Sequence, residues 1–210
     1  IIPIFSEYLI FSKEKAWQYL SNLVNLFFFI LIISSIILFI FAPQLISIIT
    51  PGFSGEKKEL TILLTRIMFL SPIILGMSNI ISAVLRVFKR FFITSLAPIM
   101  YNLGIIFGIL FFVPYMGLKG LAWGVVFGGF LHFLIQIPIL FKTGFRHQKL
   151  FNFLEPSFIK TIKLTIPRSI GLAAAQINLL VITMIASNLA VGSLAVFSLA
   201  ENLSRPFLTL

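Results

Sequence analysis

Ser198, Glu201, Asn202 and Arg205 follow i, i+3, i+4, i+7 spacing, which puts all four on one face of an α-helix. Glu201 and Arg205 stand in the favourable i,i+4 order, acid N-terminal to base. A face carrying a carboxylate, an amide and a guanidinium cannot point at lipid; it must meet other helices or water. One reading is a self-neutralised pair that holds a helix bundle together. The other is a wall of a hydrated cavity for an anionic, sugar-bearing substrate. A second constellation lies in Thr165–Ser187, where Arg168, Gly171, Ala175, Asn178 and Ile182 share one helical stripe and Gln176 points away from Asn178. Small residues beside an amide suggest close helix packing in a bundle. Arg168 and Arg205 are the candidate contacts for the anionic part of such a substrate, Glu201 and Asn202 the orienting groups, and Asn178 lines the packing or cavity stripe.

Both constellations sit in a chain of 210 residues that is 59% hydrophobic and only 10% charged. Soluble domains are about 25% charged, so with a mean hydropathy of +1.10 this is an integral membrane protein. The chain lacks cysteine, and its acids are all glutamate, which excludes disulfides and thiolate chemistry. No metal site or cofactor is expected. His132 and His147 are too far apart in sequence for a ligand pair, and His132 reads as a core histidine. The net charge of +10 would suggest nucleic acid in a soluble protein; between apolar spans it marks loops at anionic headgroups instead.

Five apolar spans can position these residues: about 17–49, 60–87, 91–113, 120–141 and 162–189, with partial helices at both ends. The chain starts and stops in mid-pattern and reads as a fragment. Pro72, Pro98, Pro138 and Pro167 occur one per span, breaks of the kind found in transporters that bend and rock. Gly124 and Gly128 fit a small-xxx-small pattern for close helix approach, with Gly129 beside them. Asn79, Asn102 and Gln136 are expected to hydrogen-bond between helices, and Arg66 to snorkel from near a helix end. Connections near residues 13–15, 86–90 and 142–163 are rich in Lys and Arg, whereas 57–58, 119 and 190–193 are poor, placing the first set in the cytoplasm. Within the long basic connection, Leu150–Leu154 is apolar and is expected along the membrane surface.

Six ordered segments then carry a resemblance: IPIFSEY at Ile2–Tyr8, APQLISIITPGF at Ala42–Phe53, TRIMFLSPIIL at Thr65–Leu75, LAPIMYN at Leu96–Asn102, GLKGLAWGVVFGGFLHFLIQIPIL at Gly117–Leu140 and AAAQINLLVITMIAS at Ala173–Ser187. The sequence resembles the MurJ (MviN) lipid II flippases of the multidrug/oligosaccharidyl-lipid/polysaccharide exporter superfamily. The resemblance implies an all-α, polytopic, MATE-like two-lobe bundle around a central cavity. Residues 1–141 would be later helices of the N-terminal lobe, 142–163 the cytoplasmic linker, and 164–210 the first helices of the C-terminal lobe.

The same resemblance implies a flippase rather than an enzyme, moving undecaprenyl-linked peptidoglycan precursor (lipid II) across the bacterial cytoplasmic membrane by alternating access. Its implied partners are that lipid-linked oligosaccharide, membrane lipids and a coupling monovalent ion whose site is not identified. The family often reads Ala-Asp-Arg-Leu where this chain has Ala200-Glu201-Asn202-Leu203, and Asp or Asn where it has Ile182. Arg205, one turn later, would substitute for the missing arginine. Another lipid-linked oligosaccharide exporter, a non-transporting membrane scaffold and a membrane transferase are the alternatives.

Overall fold

In the computed structural model the described residues are 1–189 and 192–208, with the side chains of residue 175 and residues 204–208 not described. The regular structure of the described residues is all helix, with no strand. Five helical stretches among these residues are long and apolar enough to cross a membrane: Lys13–Ile40, Gly55–Val87, Phe91–Met116, Leu118–Lys142 and Pro156–Ser187. Phe28, Phe29, Ile36, Phe107 and Leu110 are among the large apolar side chains they leave exposed, as lipid-facing surfaces require.

Proline divides three of these stretches, whereas Pro156–Ser187 keeps Pro167 inside an unbroken helix, so the break expected there is not made. Proline has no N–H to give the carbonyl four residues back, and its ring crowds that carbonyl. Helix α1 (Ile2–Phe11) precedes α2 (Lys13–Ile40), and α3 (Ala42–Ile49) is a separate helix carrying Pro43 in its first turn. The expected single span over 17–49 is therefore two helices. Likewise α4 (Gly55–Met68) gives way to α5 (Leu70–Val87) just before Pro72. Helix α6 (Phe91–Phe107) keeps Pro98 inside it, then opens into a π-turn over Gly108–Phe112. The π-turn precedes α7 (Val113–Met116), where Pro114 withholds its donor from Leu110. Helix α8 (Leu118–Leu134) ends four residues before Pro138, and α9 (Ile137–Lys142) resumes. The last two are α10 (Pro156–Ser187), which begins six residues earlier than expected, and α11 (Ser193–Leu208).

Pro43 also accounts for Arg66. The carbonyl it leaves without a helical partner is that of Phe39, and Arg66 Nε donates to that oxygen at 3.2 Å. The guanidinium lies 5.0 Å from the Phe39 ring centroid. Arg66 thus does structural work at a broken helix end.

By contacts the chain divides into two compact units, one of Ile1–Ile40 with Leu64–Thr165, the other of Phe41–Leu63 with Ile166–Leu210. In the first unit α6 and α8 meet along glycine. A Cβ on Gly104 would strike Gly128, one on Gly108 would strike Gly124, and one on Gly128 would strike the Tyr101 carbonyl. The small-xxx-small pattern is therefore a real seam. Against the other side of α8, Gly129 faces Leu75 of α5, and a buried polar knot joins the same two helices. Ser78 Oγ lies 2.6 Å from His132 Nδ1, Gln136 Nε2 donates to Ser78 Oγ at 2.7 Å, and Ser82 Oγ donates to Gln136 Oε1 at 2.7 Å. His132 is a core histidine with partners, and Gln136 bonds between helices as expected. Asn79 and Asn102 do not: both are exposed.

Candidate functional site

Helix α10 carries Arg168 and Asn178, and its root is fixed before it reaches them. Glu155 accepts the first turn's bond from the Ile159 N–H at 3.1 Å, while its side chain accepts from the Ser157 hydroxyl. Proline at the first helical position loses nothing, because that N–H has no helical acceptor. Tyr19 of α2 hydrogen-bonds Thr161 at 2.7 Å, with both groups buried, and Lys160 pairs with Glu7 at 3.3 Å.

The connection leading into α10 is held as firmly. Asn22 Nδ2 donates to the Asn152 carbonyl at 2.9 Å and to Glu155 Oε2 at 2.7 Å, and Asn22 Oδ1 accepts from the Asn152 N–H at 2.7 Å. Asn25 Nδ2 donates to the carbonyls of Gln148 and Leu150 at 3.0 and 2.9 Å, and Ser21 Oγ accepts from the Gln148 N–H at 3.1 Å. Ser21, Asn22 and Asn25 on one face of α2 thus give hydrogen-bond partners to the backbone of a segment without secondary structure, whose N–H and C=O groups have no helix or sheet to pair with. Phe151 and Leu154 meanwhile stay exposed, in line with a segment lying along a membrane surface.

Beyond Thr165 the character of α10 changes. From Lys163 to Asn178 every residue with a described side chain is exposed, Arg168, Gln176 and Asn178 among them. Gly171 has open space around it, so the close packing expected of this stripe is not made by described residues. Arg168 and Asn178 are about 15 Å apart along the axis at about 1.5 Å per residue, so one small group cannot touch both. An extended ligand can. On α11 Glu201 is half-buried and Asn202 exposed, while the Arg205 side chain, and with it the expected Glu201–Arg205 pair, lies outside the described residues. All five candidate residues fall in the second unit. Among the described residues no group of three or more His, Cys, Asp or Glu is placed to hold a metal ion.

Sequence reasoning missed the latch formed by Ser21, Asn22 and Asn25. It also missed the open face of α5, where Pro72, Asn79 and Arg86 recur every seven residues as exposed positions on a helix otherwise largely covered. That heptad was visible in the sequence; its exposure was not.

A membrane bundle broken at prolines, with polar residues bare on α10, is common to many transporters. The deciding observation is that the family model described as lipid II flippase MurJ matches residues 1–205. The chain belongs to the MurJ family. A probable lipid II flippase MurJ of Buchnera aphidicola subsp. Acyrthosiphon pisum (strain APS) is 31% identical over 207 residues, covering 96% of this chain and 40% of that protein. The lipid II flippase MurJ of Burkholderia cenocepacia is 30% identical over 155 residues, covering 71% of this chain and 30% of its own length. A probable lipid II flippase MurJ of Haemophilus influenzae is 34% identical over 146 residues, covering 69% and 29% respectively. The chain spans at most about two fifths of these MurJ relatives. The MurJ family is named for moving a lipid, not for a class of enzyme, and the apolar helices make this member a multi-pass membrane protein.

Proposed function

We propose that the protein to which this chain belongs translocates lipid II, an undecaprenyl-linked peptidoglycan precursor, across the bacterial cytoplasmic membrane by alternating access. It makes and breaks no covalent bond. Residues 1–141 contribute later helices of an N-terminal lobe, 142–163 the inter-lobe linker and 164–210 the first helices of a C-terminal lobe. A boundary near residue 164 is supported by the change in packing after Thr165. The observation that carries the reading is the bare polar stretch of α10 in a chain of this family: a guanidinium and two amides exposed on a helix long and apolar enough to cross a membrane require water, substrate or further helices around them.

Arg168 and Arg205 hold the pyrophosphate, Glu201 and Asn202 orient the sugar-bearing part, and Asn178 lines the cavity deeper in the membrane. The separation of Arg168 and Asn178 along α10 suits a headgroup with a charged root and a long polar extension. A monovalent ion couples to the cycle at a site these residues do not define.

The test is complementation. The full-length gene should rescue cells depleted of their own lipid II flippase and restore lipid II exposure on the outer leaflet. Normal membrane insertion without rescue would sink the lipid II assignment.

A further inference from the structure

The α5–α6 turn departs from what a helix end normally uses. Helix α5 closes with the Arg90 N–H on the Leu85 carbonyl at 2.9 Å and the Lys89 N–H on the Arg86 carbonyl at 3.0 Å. That pattern places its penultimate residue in the left-handed region, a position glycine usually fills. Here it is Lys89, at φ 56°, and among the described residues it is the sole non-glycine residue with positive φ. A side chain kept where glycine would cost less points to use of that side chain.

Its surroundings show the use. Lys89 and Arg90 line one side of a pocket of about 380 Å³ whose other walls are Phe91, Phe92, Ile93, Ile139 and Lys142. Three cations converge with no carboxylate in the lining, and none of the three pairs with a described acid. Directly beside them Phe91 is 58% exposed and Phe92 75% exposed, at the start of a membrane span. Cations over bare aromatic rings at a helix entrance is the layering of a headgroup above its acyl chains. Basic pockets between membrane helices take anionic headgroups for this reason.

We propose that Lys89, Arg90 and Lys142 form a site for the phosphate of an anionic phospholipid, with its acyl chains along Phe91 and Phe92. Charge complementarity selects the phosphate, and the exposed rings select a lipid over a soluble ion. The site's residues all belong to the first compact unit and none of them is among those assigned to the transported substrate, so the inference does not depend on which lipid the protein moves.

Native mass spectrometry of the full-length protein, extracted into phosphatidylglycerol and phosphatidylcholine, tests it. Lys142→Gln, Lys89→Gly and the Lys89→Gln/Arg90→Gln/Lys142→Gln triple should each bind phosphatidylglycerol more weakly, by about fivefold per charge removed. Phosphatidylcholine should bind equally to all. Lys89→Gly relieves the backbone while removing the cation, so it should lose the lipid yet melt no lower than the parent; that separates lost binding from lost folding. If the triple variant does not fold, the two single variants decide. Equal phosphatidylglycerol retention in parent and variants overturns the proposal. So does parent protein that holds phosphatidylcholine as tightly, or displacement of the lipid by an equal concentration of glycerol phosphate, which would mark a site for free phosphate.

Discussion

Asn22 and Asn152 hold each other twice: the side-chain amide of Asn22 donates to the Asn152 carbonyl at 2.9 Å, and its oxygen accepts from the Asn152 N–H at 2.7 Å. One asparagine here replaces the partner strand that an irregular segment lacks. The residues are 130 positions apart, so α2 sets where the chain can enter α10.

Asn22→Ala should therefore free the backbone around Asn152 and the Glu155 side chain, while Ser21 and Asn25 keep Gln148 and Leu150 and the α6–α8 seam stays intact. Two backbone groups and the Glu155 carboxylate lose a partner, and because Asn152 is exposed to water each lost bond should cost about 0.5–1.5 kcal/mol. Hydrogen exchange should show faster exchange of the Asn152 amide and its neighbours, with α8 unchanged. Unaltered protection at Asn152 would mean that the latch does not hold the segment.

The glycines of α8 should divide by what stands opposite them. Gly128→Ala drives a methyl into the backbone of Tyr101 and should cost about 1–3 kcal/mol, because a helix axis must shift. Gly129→Ala meets the Leu75 side chain at an ordinary 3.6 Å and should be tolerated. Thermal denaturation in detergent gives the comparison; equal melting temperatures would refute the seam.

Arg66→Ala should lower stability by about 1 kcal/mol, since the Phe39 carbonyl loses its donor beside Pro43. Transport per folded molecule should not change. A variant with unaltered melting and reduced flipping would show that Arg66 acts on substrate instead.

Arg168→Ala should behave in the opposite way. Its side chain is exposed and bonds to no described residue, so melting should stay within about 0.5 kcal/mol of the parent. Complementation should fall at least tenfold, and Arg168→Lys should recover part of it, because an ammonium keeps the charge but loses the planar fork. Full rescue by the alanine variant would remove Arg168 from the site.

Much of this was legible in the sequence, and the reasons differ by residue. Proline breaks a helix through its own ring and missing donor, so the interruptions at Pro72 and Pro138 follow from local chemistry. Gly124 and Gly128 could be read because a close approach needs small residues on one face. The turns grouped by charge also group in space: Glu7 pairs with Lys160, and Trp17 stacks on Phe88 at 5.5 Å between centroids, while the Gly52 N–H reaches Ser187 Oγ at 3.3 Å.

The partners of Asn22, Asn25, Ser78 and Ser82 were not legible, because a polar residue on a helix does not declare which distant segment it will meet. Asn79 and Asn102 show the same limit from the other side. An amide is equally suited to a neighbouring helix or to open space, and only the fold decides.

The glycine seam has a mechanical consequence. Where side chains interlock, two helices can slide by exchanging rotamers. Gly104, Gly108, Gly124 and Gly128 have no rotamers to exchange, and their backbones already stand at contact. Helices α6 and α8 can neither approach further nor shift without parting, and parting would lose contacts that lipid does not replace. The pair is thus an invariant length in a molecule whose proposed function calls for motion. Spin labels across this seam should report one distance in every state, fixing the ruler against which movement elsewhere is measured.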